Sequence, residues 1–474
     1  MHQRAPRARW AFALVLVGLL SWLVFARPGA LPGSSVPGQG DSALALPTGT
    51  LSFRLAPSQA ATLPPTVTPT LAPAPSAGPL VWIGGEGCLT VLGPEGWRVF
   101  PMEGIVRDIA IDNQGTALIA PGLCMSDGRL LRSLLPRAPG GEQDAVAIDP
   151  QGRVWVGHYG GIAVLEGGQW AVVPIQGPNV PDKARMVTDL AIDSHGVIWV
   201  GTKAGLARCD GHGWLLYSES SGLANSIDCI MIDHLGQVWV GHEKGLSVLQ
   251  GSRWRHFPLD EIGFVRGLAT DPHGRILAGS LYRGISLFDG ESWITWADAT
   301  LGLPSNRITA LAHDGAGRVW VGTRIGLSVF DGRRWITYQE ANSGLGDNQV
   351  SSLAVNGALP SLPVPGSLRY GRLVGRVTRS GQAASGVRVM LCPELSLAQT
   401  YGDSPCQDPS LCRLARTGPD GSYEFDRVPV GHYAVAAEVD PGRWVTQARV
   451  LSAVRYAVRE GKVTTVGPIE GSER

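Results

Sequence analysis

One phrase recurs seven times along this 474-residue chain: an apolar strand, an Asp- and Gly-containing turn, a second strand built on Trp-Val-Gly, then Gly-Leu and an aromatic. Its clearest copy runs Ile308–Ala312, the turn His313–Gly317, Val319-Trp320-Val321-Gly322, Gly326–Phe330, Asp331-Gly332 and Trp335–Tyr338. Each copy reads as four short strands and three tight turns. The second-strand position falls to Trp82, Leu118, Trp155, Trp199, Trp239, Leu277 and Trp320, at intervals of 36, 37, 44, 40, 38 and 43 residues. Four strands in a period of roughly 40 residues is the signature of propeller blades, which bury their faces only against neighbouring copies. An all-β, seven-bladed β-propeller is therefore expected over residues 79–357.

The two ends of the repeat are complementary. First strands begin near Val106, Ala145, Val187, Ile227, Val265, Ile308 and Val350, so Trp82 has no first strand before it and Val350–Val355 has no Trp-Val-Gly after it. Each end holds what the other lacks. Pairing Ser351–Val355 with Val81–Gly84 would close the ring and leave no free sheet edge. Turns such as Gln151-Gly152, His195-Gly196, Leu235-Gly236 and His273-Gly274 place residues that tolerate positive φ where hairpins need them.

The flanks differ in kind. Trp10–Ala26 is an apolar run preceded by Arg4, Arg7 and Arg9, at the short limit of a membrane span, so residues 1–27 read as a signal anchor or a cleaved signal helix. Residues 28–78 are rich in Pro, Ser, Thr and Ala and read as a disordered stalk. Both readings of the helix place the body outside the cytoplasm, membrane-attached or secreted. A second Pro-rich stretch, 358–368, reads as a hinge, and alternating strands over 369–474 suffice for a small β-sandwich.

Charge and cysteine content narrow the partners. Forty basic residues against forty acidic ones leave no global field for nucleic acid. Seven cysteines in an oxidising compartment permit incomplete pairing. Cys392, Cys406 and Cys412 belong to one insertion, where Cys392–Cys406 and Cys392–Cys412 are equally open. Cys88 and Cys124 are a further candidate pair, although equivalent places on consecutive blades diverge.

The aligned copies, with Asp193-Ser194-His195-Gly196-Val197-Ile198-Trp199-Val200-Gly201-Thr202 and Gly205-Leu206 among them, resemble the two-component regulator propeller family over about 280 residues. That resemblance implies an extracytoplasmic sensory or ligand-binding propeller; no kinase-like segment follows it here. The tail, through Gly375-Arg376-Val377, Asp420–Phe425 and Val428–Tyr433, is similar to carboxypeptidase regulatory-like domains, implying a prealbumin-like sandwich without catalytic residues.

No acid–base, nucleophile or metal constellation emerges. His195, His234, His273 and His313 recur in equivalent turns of different blades, too far apart for one metal, and read as solvated. Asp193, Asp233 and Asp271 read as turn-forming. Gly402-Asp403-Ser404 lacks the strand-to-helix context of an esterase elbow. Ligand contact is expected on the rim where turns between second and third strands emerge, with His158, Tyr159, Lys203, His242, Lys244, Tyr282, Arg283 and Arg324 as candidates. The chain is thus expected to be a monomeric, non-enzymatic module, without cofactor or metal, that recognises a glycan, peptide or protein. A propeller-type lyase or hydrolase and a scaffold docking a sensor protein are the alternatives.

Overall fold

The Trp-Val-Gly phrase has a packing reason. A Cβ on the glycine of five copies would collide with the Val or Ile that starts the next copy: Gly84 with Val106 at 2.7 Å and Gly322 with Val350 at 2.6 Å, and likewise Gly157 with Val187, Gly241 with Val265 and Gly279 with Ile308; the second copy has Ala120 at this place. The missing side chain is a socket for the next sheet's first strand. In the computed structural model the described residues are 78–471, less the short segments 134–137, 141–142, 177–179, 272, 298–301, 394, 396–403, 407–411, 447 and 450–451. The proposed anchor and stalk lie outside the described residues. Among those described, no helix is long and apolar enough to cross a membrane.

The described chain is almost wholly β. Residues 80–356 contain seven four-stranded antiparallel sheets. In the first, Ser352–Asn356 lies beside Leu80–Gly84, with Val355 opposite Val81 and Leu353 opposite Ile83, and Glu86–Gly93 and Gly96–Ile105 follow. The other six each use four consecutive strands, starting at Asp108–Ile111, Gln143–Ile148, Val187–Ile192, Ile227–Ile232, Val265–Thr270 and Ile308–His313. The second strand of a sheet lies inside it and is buried on both faces, which is why Ile198–Thr202 and Val319–Thr323 read as apolar runs without alternation.

Seven apolar clusters join the sheets in succession. Trp82 packs toward the second sheet, Leu118 toward the third, Trp155 toward the fourth, Trp199 toward the fifth, Trp239 toward the sixth and Leu277 toward the seventh. Trp320 then packs against Val81, Ile83 and Leu92 of the first. Where Leu277 replaces the usual Trp, Trp296, Phe330 and Trp335 pack on one another at 5.2–5.6 Å beside it and fill the volume.

Hairpin turns carry a second repeated device. Asp149, Asp233, Asp271 and Asp314 each accept two turn amides through one carboxylate oxygen. The other oxygen takes the indole N–H of Trp155, Trp239 or Trp320, an arginine Nε–H from Arg153, Arg275 or Arg318, or both. Trp82 has no such partner for its buried indole nitrogen. Its sheet takes its first strand from the far end of the chain, so no hairpin turn supplies an aspartate there.

Residues 358–368, expected to be a hinge, are instead a strap laid on the seventh sheet. Leu359 is buried in the cluster around Trp320, Arg318 donates to the Leu359 carbonyl at 2.7 Å, and Tyr338 Oη donates to that of Pro363 at 2.7 Å. Proline excludes the strap from a sheet but leaves its carbonyls free to accept. Beyond it, two five-stranded sheets share a core of Leu373, Val389, Leu391, Phe425, Val428 and Val435.

The cysteine expectations are partly corrected. Cys88 and Cys124 carry no bridge; their strands belong to different sheets. Burial first, then the Asp347 charge, pushes the Cys88 thiol up to about 12, so it behaves as an apolar group. In the tail, Cys406 has Cys392 and Cys412 as neighbours, with Cα separations of 5.3 and 6.6 Å, both within disulfide reach. A sulfur takes one partner, so one of the three thiols is left over.

Candidate functional site: the channel mouth

The first strands of the seven sheets line a cavity of about 880 Å³. Apolar residues fix those strands against the socket glycines, and the residues that follow face the cavity: Arg107, Asp144, Thr188, Asp228, Arg266, Thr309 and Ser351. Several tie one first strand to the next. Thr188 Oγ1 donates to the Ile227 carbonyl at 2.6 Å, Thr309 Oγ1 to that of Val350 at 2.5 Å, and Ser351 Oγ to that of Val106 at 2.5 Å. Asp108 accepts the Val146 amide at 2.8 Å, and Asp189 accepts that of Ile230 at 2.6 Å.

The mouth is polar but internally paired. Arg107 faces Asp144 at 3.2 Å, and Lys203 lies 3.7 Å from Asp228 and donates to Ser226 Oγ at 3.1 Å. Asp228 is pushed up by burial, partly offset by Arg266 and Lys203, and its buried Oδ2 has no hydrogen-bond partner. Such an oxygen is an acceptor awaiting a donor.

Also lining the cavity, Asp108 and Asp189 are both raised by burial, and the Asp108 charge raises Asp189 further, to about 7. The sign follows directly. An acid whose folded pKa lies above its unfolded value of 3.8 holds its proton in the folded state, so its contribution is full below that value and is lost as pH rises through the folded pKa. The melting temperature is therefore expected to fall by several degrees between pH 4 and pH 8, with Asp189→Asn flattening the fall. Calorimetric melts across that range check it; an unchanged slope in the variant counts against a proton held on Asp189.

Of the eight rim candidates, Tyr159, Lys203 and Arg324 line the cavity. Tyr159 is 71% exposed, and Tyr282 is 62% exposed with the Arg307 guanidinium 5.7 Å from its ring centre. Arg283 is exposed beside Tyr282, and Lys244 is engaged outward with Glu219 at 2.6 Å. His158 and His242 are corrections: both are buried. They end the second strand where other copies have Thr202, Ser280 and Thr323, and this position caps the following turn. Thr202 Oγ1 donates to Gly205 O at 2.8 Å, and His242 Nδ1 accepts the Lys244 amide at 3.1 Å. The shared phase with Thr and Ser was the signal that could have revealed this.

His242 Nε2 also meets Ser247 Oγ at 2.6 Å, which meets His256 Nδ1 at 2.7 Å. The arrangement resembles a nucleophile beside a base, but Ser247 is fully buried and a substrate has no route to its oxygen. Burial, with His256 and Lys244, pushes His242 down to about 4, so it serves as a neutral polar tie. Arg107, Asp108, Asp144, Asp189, Asp228 and Arg266 are mouth residues that sequence reasoning missed. Their signal is charge inside strands otherwise apolar, as in Val106-Arg107-Asp108-Ile109 and Val265-Arg266-Gly267-Leu268.

Residues 302–324, the first two strands of the seventh sheet and the loop before them, match the model of the two component regulator propeller family. No curated protein matches the chain. Among solved structures it is similar to the extracellular domain of the putative hybrid two component system BT3049 from B. thetaiotaomicron, at 17% identity over 77% of this chain and 55% of that one, with a TM-score of 0.42. The chain thus spans about half the length of that domain. It is also similar to virginiamycin B lyase from Staphylococcus aureus, at 14% identity, 49% and 84% coverage and a TM-score of 0.41. A third is PorZ, a surface component of the type-IX secretion system of Porphyromonas gingivalis, at 15% identity, 81% and 69% coverage and a TM-score of 0.43.

Proposed function

We propose that the seven sheets are the blades of one propeller, closed where the last strand joins the first sheet, and that the chain is a non-enzymatic recognition module acting outside the cytoplasm. Its ligand, a glycan, peptide or protein, docks at the channel mouth. The N-terminal segment and Pro-rich stretch hold the ring at the cell surface, and the tail is a carboxypeptidase regulatory-like sandwich. The supporting observation is the mouth itself: a cavity of about 880 Å³ whose charges are arranged in pairs, with the exposed Tyr159 among its lining residues. Paired charges with an aromatic suit selective, reversible contact with a polar ligand.

The full chain, screened on glycan and peptide arrays, is expected to bind one class, with Tyr159→Ala about tenfold weaker, the loss of one aromatic contact of roughly 1.5 kcal/mol, at an unchanged melting temperature. Binding that ignores Tyr159→Ala and Lys203→Gln, or turnover of a polymer by the purified chain, overturns the reading.

A further inference from the structure

The tail closes over one sector of the ring and leaves a second, smaller cleft of about 210 Å³ between them. Arg324 and Ile325, in a turn of the seventh sheet, form one side; Leu391, Pro393, Pro429 and Val430 of the tail form an apolar wall opposite. Two arginines, Arg413 and Arg455, and His432 also border it, and no carboxylate does among the described residues.

The nearby acids stand behind the cations. Glu340 lies 3.3 Å from His432 Nδ1, Glu86 lies 2.9 Å from Arg455, and Asp347 lies 3.7 Å from Arg455. These carboxylates fix Arg455 and His432 in place, and the Glu340 hydrogen bond holds His432 above the usual imidazole range. Arg413 is exposed at the cleft, and a guanidinium beside an apolar wall favours a planar anionic acceptor.

We propose that this cleft binds a carboxylate carried on an apolar body, the C-terminal residue of a peptide. Guanidinium forks match the plane of a carboxylate, whereas a hydrated inorganic anion or a sugar acid would leave the apolar wall uncovered. The cleft is a second site, separate from the channel mouth. Arg324 borders both, so Arg413, which belongs only to the cleft, is the residue that tells them apart.

Calorimetric titration of the full chain with N-acetyl-phenylalanine, N-acetyl-phenylalaninamide, sodium glucuronate and inorganic phosphate tests this. The free acid is expected to bind at least about tenfold more tightly than the other three, the loss expected for a charge-assisted hydrogen bond. Arg413→Gln is expected to weaken the acid by a similar factor at an unchanged melting temperature, since Arg413 is exposed and, among the described residues, donates to the Arg427 carbonyl. Tyr159→Ala is expected to leave it unaffected. Equal binding of acid and amide, tighter binding of glucuronate or phosphate, no binding at all, or indifference to Arg413→Gln overturns the proposal. Loss through Tyr159→Ala assigns the carboxylate to the channel mouth instead and overturns it equally.

Discussion

A chain ending at Gln349 is expected to lose cooperative folding, while one ending at Arg369 melts in a single transition. The difference is the closing strand and the strap that follows it. Ser352–Asn356 pairs along all of Leu80–Gly84, Val350 fills the socket at Gly322, and the hydroxyls of Ser351 and Ser352 both donate to the Val106 carbonyl. Five paired positions at about 1 kcal/mol net each, plus burial of Val350 at about 1.5–3 kcal/mol, rival the whole stability of about 5–15 kcal/mol expected of a folded domain. Removing the strand also bares an edge on the first sheet, so soluble aggregates are expected in place of monomer. The longer truncation keeps the strap, with its ties from Arg318 to Leu359 and from Tyr338 to Pro363. Circular-dichroism melts with size-exclusion chromatography distinguish the two. A sharp, unshifted transition from the Gln349 chain would mean that the sheets do not depend on closure.

What the sequence discloses and what it conceals divide along a physical line. Sheets that touch only their neighbours must repeat the same contacts, so the Trp, the Gly socket and the Val or Ile plug appear at a fixed phase and can be counted. The site follows another rule. His158 and His242 look like rim ligands because histidine usually means chemistry, yet their phase, shared with Thr202 and Thr323, makes them turn caps. Asp108 and Asp189 are passed over for the opposite reason: a carboxylate leaves the strand pattern intact, and its only signal is charge inside an otherwise apolar strand. Docking of the tail has no local code at all. Glu340 and His432, or Glu86 and Arg455, are separated by 92 and 369 residues, and only the folded chain brings them together.

The turn aspartates yield the second large effect. Asp314→Ala is expected to cost about 3–5 kcal/mol, as breaking a buried ion pair does, and to lower the melting temperature by roughly 5–10 °C. Asp193→Ala, at the equivalent turn of the fourth sheet, is expected to cost only about 1 kcal/mol. Asp314 is wholly buried and serves the Ala316 and Arg318 amides, Arg318 Nε at 2.6 Å and the Trp320 indole at 3.1 Å. Its removal strands the Arg318 guanidinium, 11% exposed, in an apolar cluster. Among the described residues, Asp193 accepts the His195 and Val197 amides and no side-chain donor, and the Trp199 indole nitrogen has no partner. Arg318 also holds the strap through Leu359, so Asp314→Ala is expected to open residues 358–368 to protease, which Asp193→Ala does not. Arg318→Ala combined with Asp314→Ala is expected to cost less than the two single losses summed, because the second change removes the charge that the first left unpaired. Equal melting shifts for Asp193→Ala and Asp314→Ala would reduce these turns to local geometry and take away the link between ring stability and tail docking.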